Sequence, residues 1–224
     1  MSGSVFVLIQ PDKLRKLLII IFGVIFIVFC LAVRFNAVLV TFGDDAATLV
    51  VQNMLPHSLQ ALITIGHLFA HYWLVLPFIA LMAGVLYLAQ YKIAMWWFII
   101  SQIMGMLVCL TVAIVVGISW DSGLQLRDMM PNLLLVWWLQ VLFLVMALIL
   151  PRLLKSRRLQ IIMSTLIGAF WLFMMISLMQ ANNMLLSSGI GALLFGYFWW
   201  QLSAQIYRKR ARQWQHVLKI DGRV

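Results

Sequence analysis

His67 and His71 are the side chains in this sequence best suited to chemistry. They lie four residues apart in an apolar stretch, a spacing that puts both on one helix face about one turn apart. Ionisable groups at membrane depth mark functional sites by default. Such a pair could ligate a metal, relay a proton or contact a phosphate. The plain alternative is two interfacial histidines bonded to neighbouring helices or water. His57 lies nearby in sequence, but no convincing third ligand completes the HxxxH pair. No metal and no cofactor is therefore expected.

Arg34 and Arg127 are the other candidates for binding an anion, and a phosphate is one possible partner. An ordinary surface ion pair with Asp44, Asp45, Asp121 or Asp128 is the favoured explanation. Gln102, Gln140, Gln201 and Gln205 are amides in apolar surroundings, suited to hydrogen bonds between helices. Cys30 and Cys109 sit alone in apolar runs with no CxxC or Cys/His spacing, so neither a redox pair nor a metal site follows. The 14 methionines suit adaptable packing rather than copper binding, which would need Met and His clustered in an exposed segment.

The elements that must position these residues are set by composition. The chain has 224 residues, 65% of them apolar and 10% charged, and all six acids are Asp. Soluble domains carry about 25% charged residues, so most of this surface must face lipid. Apolar runs of about 20 residues suffice to span a bilayer. The sequence predicts an all-α bundle of six transmembrane helices, over 17–33, 61–91, 93–119, 132–150, 159–179 and 184–206, in one membrane domain covering 1–224. The first run follows a basic segment without a suitable cleavage site and is read as an uncleaved span. Asp45 is expected to cap an amphipathic interfacial helix, Ala46–Met54. Pro77 is expected to kink span two, and Pro151 to stop span four.

Charge orients the bundle. With both termini in the cytoplasm, 14 of the 16 basic residues fall on the inner side; only Arg34 and Arg127 lie outside. Four of the six acids also fall outside. The net charge of +10 is clustered at the edges of apolar segments, which points to anionic lipid and excludes nucleic acid as a partner. The basic tail, 207–224, is expected to lie along the membrane surface.

Span six carries Ser188, Ala192 and Gly196 in steps of four, a stripe of small side chains suited to close helix packing. Ser188-Gly189 also invites comparison with the serine of an intramembrane rhomboid protease. That chemistry needs a base at matching depth and a serine in the fourth span, which here has none.

Three stretches carry a family resemblance. They are Thr64-Ile65-Gly66 at the start of span two, Ile176-Ser177-Leu178 with Asn182-Asn183-Met184 at the junction of spans five and six, and Ser187 through Gly196. In these, and in its layout over about residues 35–206, the chain resembles the membrane-bound type 2 phosphatidic acid phosphatase family. The resemblance implies a six-span fold and a lipid-phosphate cleft at the outer face. It also implies that the reactive positions have been emptied. Leu178 stands at the family's arginine, Met184 at its nucleophilic histidine, Ser188 at the acid that orients this histidine, and Leu134 at the acid histidine of P-S-G-H. No K-x6-R-P motif precedes span four. Hydrolysis through a phosphohistidine needs a nucleophile, a proton donor and cations, and Leu and Met supply none of them.

The expected function is thus that of a non-catalytic inner-membrane protein. Its role would be as an accessory or lipid-binding subunit, with membrane lipids and membrane protein subunits as partners. The alternatives are a transporter or channel component for a lipid or neutral solute, a residual lipid-phosphate phosphatase, and an enzyme using His67 and His71 with a metal.

Overall fold

The computed structural model describes residues 14–53, 59–116, 129–181 and 183–218. Every regular element among them is helical. The order is α1 (Arg15–Arg34), α2 (Val38–Asn53), α3 (Gln60–Phe69), α4 (Tyr72–Leu88), α5 (Lys92–Val116), α6 (Leu133–Leu144), a π turn (Val145–Ile149), α7 (Leu150–Leu153), α8 (Arg157–Gln180) and α9 (Leu186–Leu218).

The chain is a helical membrane protein. Four helical stretches among the described residues are long and apolar enough to cross a bilayer: α1, α5, α6 through α7, and α8. The bent pair α3 and α4 makes a fifth if it is counted as one span. Their outward faces are apolar; α1 alone exposes Leu17, Ile20, Val24, Ile27, Val28 and Leu31. Such a surface is stable in lipid and costly in water.

α9 falls outside this set. Its apolar residues are interleaved with Ser, Gly, Gln and Trp, because it is the helix the others cover. It is touched by α1, α2, α5 and α6. Its 33 residues extend about 50 Å at the helical rise, which exceeds a hydrocarbon core of about 30 Å. The first residues of the expected surface-lying tail instead continue this helix without a break to Leu218.

Three further expectations are corrected. Span two is broken at Ala70–His71 with a bend of 69°, and not at Pro77, which sits inside α4. The break holds because the indole Nε1 of Trp138 donates to the Phe69 carbonyl at 2.9 Å. A carbonyl at a helix end needs such an external donor. Phe69 also packs edge-on to Trp138 and Phe170, with ring centroids 5.8 and 5.0 Å apart. Pro151 does not stop span four. The helix passes through it to Leu153, and the π turn just before it widens the backbone where the ring would strike the preceding turn. Asp45 is not a cap either, since α2 starts at Val38 and carries Asp44 and Asp45 in its interior.

Two turns are closed in the same way. Asn36 and Gln90 adopt positive φ, 47° and 65°. Each follows a helix whose last carbonyls accept from the two residues beyond: Asn36 N–H to Val33 and Ala37 N–H to Ala32, then Gln90 N–H to Tyr87 and Tyr91 N–H to Leu86. This is the Schellman closure, in which one left-handed residue reverses the chain.

Candidate functional site

Asp44, Ser187 and Ser188 form a buried polar group where α9 begins, while Ser101, Gln102, Gln201 and Ser203 are buried farther along α5 and α9. α9 is preceded by Met184-Leu185, whose side chains offer no N-cap oxygen; only the Leu185 carbonyl accepts, from the Gly189 N–H at 3.4 Å. The side-chain acceptor comes from another helix. Asp44 of α2 is buried, and its Oδ1 accepts from the Ser187 backbone N–H at 2.7 Å. An acidic side chain at a helix N-terminus is also favoured by the helix dipole. Thr48, one turn on, returns its hydroxyl to the Asp44 carbonyl at 2.8 Å.

α6 begins at the same junction. The Asn132 backbone N–H donates to the Ser188 carbonyl at 3.3 Å. Its side-chain oxygen caps α6 by accepting from the Leu135 N–H at 3.1 Å. Cys109 of α5 donates to the Pro131 carbonyl at 3.4 Å. Four helices thus meet through polar contacts at one end of the bundle.

Methionines fill the rest of this end. Met130 and Met184 are almost fully buried. Cβ atoms built on Gly191 and Gly189 would fall 2.8 Å from Met130 and Met175. Ser188 and Ala192 are buried, and a Cβ on Gly196 would meet Leu139 of α6 at 2.9 Å. Gln140 of α6 donates to the Gly196 carbonyl at 2.8 Å. The stripe of small residues therefore lies against α6. Ser188 Oγ and Ser177 Oγ have no hydrogen-bond partner among the described residues.

The four positions that the sequence resemblance singled out all lie in this packed end. Leu134, Leu178 and Met184 belong to one buried apolar cluster, and Ser188 is 1% exposed. The Asn183 N–H closes onto the Leu178 carbonyl at 3.0 Å, which folds Met184 back over the end of α8.

His67 and His71 remain neighbours but do not share one helix. His67 lies in the last turn of α3, and His71 is the residue before α4. Their rings meet edge to face with centroids 5.3 Å apart, and both are exposed. No group of three or more potential metal ligands exists among the described residues. Arg34 ends α1 and is exposed. Arg127, Asp121, Asp128 and His57 lie outside the described residues.

Asp44 is the functional residue missed in the sequence, where it stood only as an outer acid available for a surface ion pair. The available signal was a helix start at Ser187-Ser188-Gly189 with no local capping residue before it. Comparison with protein-family models, with curated proteins and with solved structures finds no match for this chain.

Proposed function

We propose that this chain is a non-catalytic, lipid-binding accessory protein of a bacterial-type inner membrane, with a lipid-phosphatase-like layout. In this reading it has six spans with both termini in the cytoplasm, α9 forming the sixth beside the five apolar candidates. The end at which α9 begins is then the outer one, and Asp44, His67 and His71 belong to that face.

One observation carries the reading. The four positions where the resemblance expects catalytic groups hold Leu134, Leu178, Met184 and Ser188, all buried within a close-packed apolar end. Phosphoryl transfer needs a nucleophile with an adjacent base, and cations around the phosphoryl oxygens. Two leucines and a methionine offer neither, and the hydroxyl of Ser188 has no base beside it among the described residues.

The test is turnover of a lipid phosphate, such as phosphatidic acid, by purified protein in mixed micelles. No phosphate release above an empty-membrane control is expected. Turnover lost in the His67→Ala/His71→Ala double variant would replace this reading with that of an active enzyme.

A further inference from the structure

A second feature lies at the opposite end of the bundle. α5 and α9 run antiparallel: Trp97 sits by Ser203 and Tyr207, whereas Gly105 lies against Trp199. Between them is an open cavity of about 470 Å³. Its walls include Trp96, Ile100 and Met104 of α5 and Trp199, Ile206 and Trp214 of α9. Two of the four lining indoles have committed N–H groups. Trp97 donates to the Ser203 carbonyl at 2.9 Å, and Trp199 donates to the Ser101 carbonyl at 3.0 Å. The groove offers mostly carbon surface. Trp96, Ile100, Met104 and Ile206 are each more than two-fifths exposed, so it opens sideways.

Length and charge select the occupant. From Ile93 to Met104 the groove follows α5 for roughly 16 Å at the helical rise, about half of a hydrocarbon core of about 30 Å. That is the reach of one leaflet, and of one acyl chain. At the Ile93 end stand Lys92 and, on α9, Lys209 and Arg210. Arg210 continues the stripe of Leu202, Ile206 and Trp214 in steps of four, which carries it to the mouth of the groove. The described acids, Asp44 and Asp45, lie on α2 at the other end of the bundle, so the mouth is positive.

We propose that this groove binds an anionic glycerophospholipid of the cytoplasmic leaflet, one acyl chain lying along the α5–α9 seam and the headgroup phosphate meeting Lys92 and Arg210. This rests on the reading of the chain as a lipid-binding membrane protein with its termini inside. Aromatic side chains form the walls and two cations take the phosphate, a division of labour suited to a lipid at the interface.

The test is native mass spectrometry of the full chain released from bilayers of equal phosphatidylglycerol and phosphatidylcholine. One phosphatidylglycerol per chain is expected, in about tenfold excess over phosphatidylcholine. Lys92→Gln/Arg210→Gln is expected to abolish the excess while leaving the circular dichroism spectrum unchanged. Ile100→Trp, which narrows the groove, is expected to reduce retention of both lipids. Equal retention of the two headgroups by the native chain, or an excess that survives the double variant, overturns the assignment and leaves the lipid-binding reading standing. A stoichiometric protein bound in place of lipid overturns it as well. Retention of no lipid at all removes both.

Discussion

Gly66→Ala is expected to lower the melting temperature of the purified protein more than any other glycine-to-alanine change described here. A Cβ at this position falls 2.8 Å from the carbonyl oxygen of Phe173, 3.1 Å from its carbon and 3.3 Å from the Met174 nitrogen. These are backbone atoms of α8, which cannot rotate aside. Small residues at such crossings let membrane helices approach closely. Separating α3 from α8 would also disturb the aromatic contacts of Phe69 with Phe170 and Trp138. Overpacking of this kind costs about 1–3 kcal/mol, a shift of roughly 2–12 °C for a chain of this size. Gly84 and Gly168 provide the controls, since nothing lies within 4 Å of a Cβ built on either. Their alanine variants are expected to be neutral or stabilised by up to about 1 kcal/mol through helix propensity. Thermal unfolding in detergent measures all three. A Gly66→Ala protein that melts with the Gly84→Ala protein would show that α3 and α8 do not approach so closely.

Asp44→Ala is expected to produce the second large effect, through a different mechanism. The substitution removes the acceptor of the Ser187 N–H and leaves that donor buried. A buried unsatisfied group costs about 1–3 kcal/mol, and loss of a helix cap costs about 0.5–2 kcal/mol. These figures describe one and the same lost contact. Asp44→Asn keeps an acceptor oxygen of the same reach and is expected to retain most of the stability. Hydrogen exchange localises the effect: amides at the start of α9 should lose protection in the alanine variant, while those of α5 keep it. An alanine variant with native melting and unchanged exchange would place Asp44 outside the capping role.

Much of the architecture can be read from the sequence because lipid imposes a simple rule. The expected spans 17–33, 93–119 and 159–179 correspond to α1, α5 and α8 within a few residues. Each is an unbroken apolar run, bordered by basic residues: Lys13, Arg15 and Lys16 before the first, Lys92 before the second, Arg157 and Arg158 before the third. The break in span two could not be read, because neither Phe69, Ala70 nor His71 is a helix breaker. It depends on Trp138, 69 positions away, which supplies the donor that the broken end needs. Pro77 does not mark the break, since α4 continues through it. The bridge from Asp44 to Ser187 spans 143 positions and was equally hidden. The four positions of the family resemblance were legible only as residue types; their burial depends on how α6, α8 and α9 close together. α9 itself reads as weakly apolar because protein rather than lipid surrounds much of it.

The proposed orientation, which makes the end where α9 begins the outer one and puts the α5–α9 groove in the inner leaflet, is best tested by direct measurement. Single cysteines at Gln125 and Lys155, in a background lacking Cys30 and Cys109, can be probed in intact cells with a membrane-impermeant maleimide. Labelling at Gln125 without permeabilisation, and at Lys155 only after it, is the expected result, since the proposed six-span topology collects 14 of the 16 basic residues on the cytoplasmic side. The reverse pattern, or labelling of both positions from one side, would contradict the six-span arrangement with both termini inside.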